Sequence, residues 1–218
     1  MSRTSLLTAI AVTALSLLTA AAEPVPAAEL GENWTFYGKG ASTVRGDMFY
    51  MREADDSVGA ILISPESYEG DVILRYEIMP MSAASVCVAI LGATDAGGAD
   101  TLTIPDGYDG NMGLWINSMD NYFFAFHNAA HDRPPFLKRF PANERLAMAY
   151  NNVMRAGAFY RIEAGRKGPK LWFKVDGKTV FETEDPDPLT SGHIAFRIRG
   201  IDYEPAACLI RNVSIEQP

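Results

Sequence analysis

Side chains that can act as acids, bases or hydrogen-bond donors are concentrated between residues 105 and 157 of this sequence. Three of them, Tyr122, His127 and Arg139, have the chemistry of a β-elimination site. An imidazole or a phenol can abstract a proton next to a carboxylate, and a guanidinium can neutralise that carboxylate in the transition state. These three residues are therefore the candidate catalytic groups, and a uronic acid is the type of substrate that such chemistry requires.

Three further residues of the same stretch are candidate substrate-binding groups: Trp115, Asn117 and His131. The indole could stack on the face of a sugar ring, while the amide and the imidazole could form directional hydrogen bonds with hydroxyl groups. Structural alternatives stay open. Trp115 and Tyr122 could belong to the hydrophobic core, and His127 could be a strand-end histidine whose hydrogen bonds are satisfied.

Carboxylates suggest a second kind of chemistry. Glu182 and Glu184 lie at positions i and i+2, on one face of a strand, and are the nearest local pair for glycoside hydrolysis. Asp185-Pro186-Asp187-Pro188 follows at once, so the acidic run 182–187 is interpreted most simply as a solvated turn. P-loop, dinucleotide-binding, HExxH and GxSxG motifs are missing from the sequence, which removes the enzyme classes that they mark.

A calcium ion is the only cofactor that the sequence suggests. Hard oxygen ligands on flexible loops can hold Ca²⁺, and glycine-rich loops of this chain carry Asp95, Asp100, Asp106, Asp109 and Asn111. Solvated turn residues are the alternative, since the EF-hand spacing is missing. No other metal is expected.

The candidate residues must be positioned by strands. Met112–Asn117 and Tyr122–His127 are predicted to form a hairpin around Ser118-Met119-Asp120-Asn121. Period-2 alternation then places Tyr122, Phe124 and Phe126 on one face of the second strand, and Phe123, Ala125 and His127 on the other. The irregular segment that follows is expected to fold back over a sheet edge or face and to complete the site.

Short alternating runs separated by Gly, Pro, Asp and Asn predict strands throughout the chain. The further predicted strands are Met48–Arg52, Val58–Ile63, Asp71–Ile78, Ser85–Leu91, Ala158–Ala164, Pro169–Val175, Lys178–Glu182, His193–Arg199 and Ala207–Ile215. Asp176-Gly177 is a strong type I′ hairpin signal. The only helical candidate is 142–155. About a dozen strands in one domain predict an all-β, two-sheet antiparallel β-sandwich of the jelly-roll type.

The expected core of this sandwich is apolar and drawn from both halves of the chain: Leu74, Tyr76, Val88, Leu171 or Trp172, Phe173, Ile194, Phe196, Ile210 and Val213. The two cysteines outside the N-terminal segment, Cys87 and Cys208, have apolar neighbours. They could form a disulfide if their strands are adjacent, or remain buried thiols.

The C-terminal strands resemble those of a known superfamily. Phe159–Ala164, Leu171–Lys178, Ser191–Arg197 and Leu209–Ile215 are similar to the C-terminal half of concanavalin A-like lectin/glucanase domains. Within that superfamily the chain most resembles the YesU-like family of uncharacterised bacterial proteins, with the 3-keto-disaccharide hydrolase-like family as a second relative. The resemblance implies a twisted sandwich whose concave face is associated with poly- or oligosaccharides.

The N-terminus and the charge balance bear on location and partners. Arg3, the apolar run Leu6–Leu18 and the Ala-rich exit describe a secretory signal peptide, cut after Ala22, Ala27 or Ala28. We therefore expect a signal peptide at 1–28, a single sandwich domain at 29–218 and a secreted or periplasmic location. A formal net charge of −8 argues against nucleic acid as a partner, and no later segment is apolar enough to span a membrane.

The sequence therefore predicts an exported protein that binds or processes carbohydrate. A polysaccharide lyase or glycoside hydrolase is one alternative, and a non-catalytic module for interactions in the cell envelope is another. The sequence names neither the sugar nor the oligomeric state.

Overall fold

The computed structural model describes residues 21–218 except 129, 130, 132 and 202. In this part of the chain, fifteen strands and two short helices follow one another in the order β1 Glu23–Val25, α1 Ala27–Glu32, β2 Thr35–Gly38, β3 Gly40–Arg45, β4 Met48–Glu53, β5 Ala60–Ser67, β6 Val72–Pro80, β7 Val86–Asp95, α2 Gly113–Asn117, β8 Met119–Asn128, β9 Phe136–Phe140, β10 Glu144–Met148, β11 Tyr160–Lys167, β12 Lys170–Val175, β13 Lys178–Glu184, β14 His193–Arg199 and β15 Ala207–Glu216.

The described strands form two antiparallel sheets, as predicted. The eight-stranded sheet has the order β13-β12-β11-β6-β15-β4-β3, with β1 paired to β15, and the seven-stranded sheet has the order β10-β9-β8-β7-β14-β5-β2. Both helices are far too short to cross a bilayer, and no helix among the described residues is long and apolar enough to do so.

The main core lies between the sheets and is built by alternate residues of each strand. It contains Leu74, Tyr76, Phe173, Phe196 and Ile210, all of which are at most 2% exposed. Aromatic rings dominate its centre: Phe126 and Phe181 stack on Phe173 at centroid distances of 5.2 and 5.5 Å. The other predicted core members in this cluster are Leu171, Ile194 and Val213.

A second hydrophobic cluster covers part of the outer face of the seven-stranded sheet. Val88 and Ile90 of β7 point into it, together with Phe123 of β8, and Trp115 lies over them. Val88, predicted to lie in the core, is thus buried on the outer face. Strand β7 is consequently covered on both sides, which explains its almost uninterrupted apolar sequence.

The predicted strand at Met112–Asn117 is wrong, because α2 occupies Gly113–Asn117. Its backbone hydrogen bonds run from Ile116 N–H to the Met112 carbonyl and from Ser118 N–H to the Leu114 carbonyl. A five-residue apolar run is too short for periodicity to separate a helix from a strand. The helical candidate at 142–155 is also wrong, since β10 lies within it.

The N-terminal segment joins the fold earlier than the predicted domain boundary at residue 29. Glu23, Pro24 and Val25 pair with Ile215, Ser214 and Val213 of β15. Val25 and Leu30 are both buried. Residues 1–20, which contain most of the predicted signal peptide, lie outside the described residues.

Candidate functional site

A groove of about 550 Å³ opens on the outer face of the seven-stranded sheet, beside the second hydrophobic cluster. We call it the arginine groove, because three arginines line it among the described residues. Its lining residues are Val58, Val86, Asn111, Met112, Phe123, Ala125, His131, Arg133, Phe136, Arg197 and Arg199.

Strand alternation positions the floor of the arginine groove. Ile194, Phe196 and Ile198 of β14 point into the inter-sheet core, so Arg197 and Arg199 project from the opposite face. On β8 and β9 the same alternation turns Phe123, Ala125 and Phe136 outward. The rings of Phe123 and Phe136 are stacked with centroids 6.2 Å apart. One end of the floor is therefore cationic and the other aromatic.

Arg197 is only 4% exposed and forms no ion pair among the described residues. Its Nη2 donates to the carbonyls of Val58 and Gly110, at 3.2 and 3.3 Å, and its Nε finds no hydrogen-bond acceptor there. Burial lowers the pKa of this guanidinium, but an arginine stays charged at neutral pH. The groove thus contains a buried cation without a carboxylate partner.

Two glycines allow this arrangement. Gly110 has a φ of +87°, and a Cβ there would lie 1.9 Å from the carbonyl oxygen of Gly59. A Cβ on Gly59 would lie 2.5 Å from Nη2 of Arg197. The loop before α2 can therefore approach the start of β5 only because both positions lack a side chain.

Arg199 lies next to a buried carboxylate. Its Nη1 donates to the Ser57 carbonyl at 2.6 Å and approaches Oε1 of Glu53 at 3.5 Å. Glu53 is 2% exposed, and its Oε2 accepts the backbone N–H of Ala206 at 2.9 Å and that of Gly200. Backbone N–H groups therefore stabilise part of the negative charge of Glu53, so Glu53 neutralises Arg199 only partly.

Of the predicted substrate-binding residues, the structure places His131 in the arginine groove. His131 and Arg133 are exposed on its rim, in the segment that joins β8 to β9. Asn117 is the exposed last residue of α2 and does not line the groove. Trp115 is fully buried beneath the loop, and its Nε1 donates to the Tyr108 hydroxyl at 2.8 Å. Its indole supports the loop and is not available as a stacking surface.

The structure brings together two of the predicted catalytic residues, Tyr122 and Arg139, but away from the arginine groove. Tyr122 shares its face of β8 with Phe124, and its hydroxyl donates to Oδ2 of Asp185 at 2.7 Å. Arg139 donates to the same carboxylate at 2.9 Å and to Asp187. Burial and the bond to Asp185 raise the pKa of Tyr122 well above its usual value.

Asp185 is therefore not a solvated turn residue, being 3% exposed, which corrects the interpretation of the acidic run. The Tyr122 hydroxyl also accepts the backbone N–H of Leu189 at 3.0 Å, so the network fixes the segment after β13 to β8 and β9 of the seven-stranded sheet. Glu182, by contrast, is half exposed and pairs with Lys170 at 2.9 Å.

The third predicted catalytic residue, His127, is 2% exposed at a bulge in β8. The register shifts so that His127 lies opposite Cys87, a residue of the inter-sheet core, and leaves the outward series of Phe123 and Ala125. Its Nδ1 bonds to the Ser85 carbonyl. Burial lowers the pKa of the imidazole, so the neutral form is favoured.

Neither metal binding nor a disulfide is seen among the described residues. They contain no group of three or more His, Cys, Asp or Glu side chains that could hold a metal ion. Asp95, a suggested calcium ligand, accepts hydrogen bonds from Thr101 and Thr103 at 2.9 and 2.8 Å. Cys87 and Cys208 are fully buried free thiols, and burial raises the pKa of both.

Comparison with known proteins identifies the fold. No family model and no curated protein matches the chain. Among solved structures, it is similar to a Bacillus subtilis protein of unknown function with a galectin-like fold, with a TM-score of 0.79 and 17% identity over 91% of this chain and 97% of that one.

Two other structures have the same fold. A carbohydrate-binding module, CBM66 from Bacillus subtilis, matches with a TM-score of 0.53 and 16% identity over 85% of this chain and 96% of that one. A Bacillus licheniformis β-glucanase matches with a TM-score of 0.60 and 12% identity over 93% and 100%. The chain therefore has a sandwich fold similar to the galectin-like one, and the predicted all-β, two-sheet antiparallel jelly-roll sandwich is confirmed.

The Tyr122 hydroxyl is expected to stabilise the fold. Tyr122→Phe should lower the free energy of unfolding by about 1.5–3 kcal/mol, because it removes a bond to a buried carboxylate and leaves the Leu189 N–H without its acceptor. Tyr76→Phe is the matched control, since the buried Tyr76 hydroxyl has no hydrogen-bond partner among the described residues. That change should stay within about 0.5 kcal/mol. Urea denaturation measures the free energy of unfolding of both variants. Equal losses would contradict the stabilising role of the Tyr122 hydroxyl.

His127 is expected to make stability depend on pH. Its folded pKa lies below the usual 6.5, so the unfolded chain binds the proton first and stability falls as pH drops below about 6.5. For one proton the slope cannot exceed about 1.4 kcal/mol per pH unit. His127→Gln should reduce the loss of unfolding free energy between about pH 7.5 and 5.5. A pH slope that stays unchanged in the His127 variant would refute the prediction.

Proposed function

We propose that this chain is an exported β-sandwich protein that binds a saccharide in the arginine groove. The observation that carries the proposal is the groove itself: a concavity of about 550 Å³ whose floor combines stacked phenyl rings with guanidinium groups. Ligand sites fall in this size range and combine apolar surface with a few directed polar groups. A phenyl ring offers the apolar face of a pyranose a stacking partner, and guanidinium and amide groups bond its hydroxyls.

Two structures with the same fold support a saccharide ligand, since one is named as a carbohydrate-binding module and the other as a β-glucanase. Membership of the YesU-like family is part of the proposal. It rests on the C-terminal motifs, which coincide with β11, β12, β14 and β15.

Binding is favoured over hydrolysis by the composition of the groove. Two-carboxylate glycoside hydrolysis needs a pair of Asp or Glu side chains about 5–9.5 Å apart across the scissile bond. The described residues that line the arginine groove include no Asp and no Glu. The candidate pair Glu182 and Glu184 lies on β13, at the edge of the other sheet.

A lyase remains the second candidate because of one observation, the exposed His131 in the same groove as three arginines. An imidazole there could take the proton that β-elimination removes, while a guanidinium neutralises the uronate. Incubation with uronic-acid polysaccharides, followed by the absorbance of the unsaturated product, separates the two functions. Turnover that His131→Ala abolishes would make the chain a lyase, and binding without turnover supports a binding protein.

Export is also part of the proposal, with cleavage after Ala22. This cut keeps β1, whereas cuts after Ala27 or Ala28 would remove three residue pairs to β15 and the buried Val25. We expect the secreted or periplasmic protein of the native host to begin at Glu23, as read by N-terminal sequencing. A mature chain that begins at Ala28 or Glu29, or a folded cytoplasmic protein with Met1 intact, would contradict this.

Phe136 is expected to contribute to saccharide binding. Phe136→Ala should weaken the affinity for a cognate oligosaccharide about fivefold, because the ring is only half buried and forms the open side of the aromatic floor. Phe159→Ala is the matched control, since Phe159 is also half buried but lies against Arg211 of the other sheet. Isothermal titration calorimetry on a panel of oligosaccharides measures both. Equal affinities for the two variants would place the site elsewhere.

A further inference from the structure

We infer that the saccharide bound in the arginine groove is anionic, and that its carboxylate or sulfate group is recognised by Arg197, Arg199 and Arg133. This inference rests on the proposed function, because it specifies the ligand of the same site. It comes from the distribution of charge over the molecule and from one unpartnered donor.

The chain as a whole is acidic, with a formal net charge of −8, but the arginine groove is not. Its described lining carries three arginines and a histidine and no carboxylate. Among the described residues, the one carboxylate within 4 Å of these cations is that of Glu53, 3.5 Å from Arg199. Since two backbone N–H groups already bind the Glu53 carboxylate, positive charge exceeds negative charge among the described residues of the groove.

Three partly buried arginines elsewhere in the structure are neutralised by carboxylates, whereas the buried Arg166, like Arg197, has no ion pair among the described residues. Arg75 pairs with Glu163 at 2.8 Å, Arg139 with Asp185 at 2.9 Å, and Arg211 with Glu77 at 2.8 Å. Arg197 is more deeply buried than any of these and has no such partner among the described residues. A buried cation is costly unless a counter-charge compensates it. An anionic ligand in the groove would supply that counter-charge.

The hydrogen bonds of Arg197 leave room for a ligand. Only Nη2 is used, at 3.2 and 3.3 Å from two carbonyl oxygens, and the Nε–H has no acceptor among the described residues. Buried donors are nearly always paired in folded proteins. Nη1 forms no hydrogen bond with the described residues either and, unlike Nε, is not fully enclosed, so it is the donor that a ligand in the groove can reach. Arg166 differs, because its Nη1 and Nη2 both bond carbonyls, those of Leu189 and Gly70.

The aromatic floor indicates that the ligand is a sugar and not a small inorganic anion. Phe123 and Phe136 lie in the same groove as the three arginines. A ligand that fills about 550 Å³ and contacts both ends of the floor must combine an apolar ring face with a negative group. An acidic pyranose has both, which distinguishes it from a neutral glycan and from a simple ion.

The inference is tested by titrating the protein with matched acidic and neutral probes in a calorimeter. The probes are oligogalacturonate and its methyl ester, a sulfated galactan oligosaccharide without uronate and its neutral desulfated form, and neutral cello- and xylo-oligosaccharides. We expect an acidic probe to bind about tenfold more tightly than its neutralised partner, with an affinity that falls as salt rises. Loss of affinity on esterification identifies a carboxylate ligand, and loss on desulfation identifies a sulfate ligand.

Substitution on the rim locates the binding. Arg133 is exposed, so Arg133→Ala should leave the melting temperature unchanged and weaken acidic-probe binding about fivefold, with less than about a twofold change for neutral probes. Arg155→Ala, which removes an exposed arginine that does not line the groove, should change neither affinity. Arg197→Lys keeps the charge but removes the guanidinium with its free Nη1 donor, and it should also weaken acidic binding.

Three results would overturn the inference, and they are distinguishable from one another. If neutral probes bind as tightly as acidic ones and Phe136→Ala weakens both, the groove binds saccharides but the ligand is not anionic. If acidic probes bind and Arg133→Ala has the same affinity for them as Arg155→Ala, the anion binds elsewhere. If no probe of either kind binds, the proposed function fails together with the inference.

Discussion

The seven-stranded sheet has to bury apolar side chains on both of its faces, and the position of the site follows from this constraint. Its inner face packs on the other sheet, but Val88 and Ile90 of β7 point outward and need cover of their own. The segment before β8 provides this cover by placing Trp115 over the sheet. The cover is incomplete, and the arginine groove opens beside it, where Phe123 and Arg197 form the floor.

Arg197 connects this packing to the chemistry of the groove. Its guanidinium bonds to Val58 and Gly110, which holds the loop before α2 against the start of β5. The same side chain keeps its Nη1 free of hydrogen bonds to the described residues. A cation whose rotamer is fixed by two backbone carbonyls loses little entropy when a ligand binds, so the groove is preorganised for an acceptor. Tyr122 and Asp185 have a different role, since their buried network attaches the segment after β13 to β8.

The sequence predicted the fold because strand alternation is a strong signal. Val72, Leu74, Tyr76 and Ile78 all point into the inter-sheet core as their spacing requires, and the turn at Asp176-Gly177 has the positive φ values of a type I′ hairpin. Two of the missed strands show why others escaped prediction. Strand β3 is mostly exposed and lacks an apolar pattern, and β2 has only four residues, which is too short for alternation to be recognised.

The site was predicted less well, because it depends on how distant segments meet. His131 lines the arginine groove, but Trp115 is a buried residue of α2, a helix that the sequence had predicted as a strand. The bulge opposite Cys87 turned His127 away from the face of Phe123, and no residue type marks such a bulge in advance. Arg197 and Arg199 carried a usable signal: with Ile194, Phe196 and Ile198 in the core, both arginines of β14 must face outward. What the sequence could not supply is that His131 and Arg133, from a different loop, would lie beside them.

The most direct test of the arginine groove as the ligand site is an NMR measurement of the arginine side-chain Nε–H signals during titration with an acidic oligosaccharide. The signals are assigned by single Arg→Lys substitutions. The account predicts that the Arg197 signal shifts most, together with that of Arg199, while those of Arg75 and Arg211 on the other sheet stay in place. Shifts confined to Arg139 beside Asp185, or to Arg75 and Arg211, with Arg197 unaffected, would contradict it.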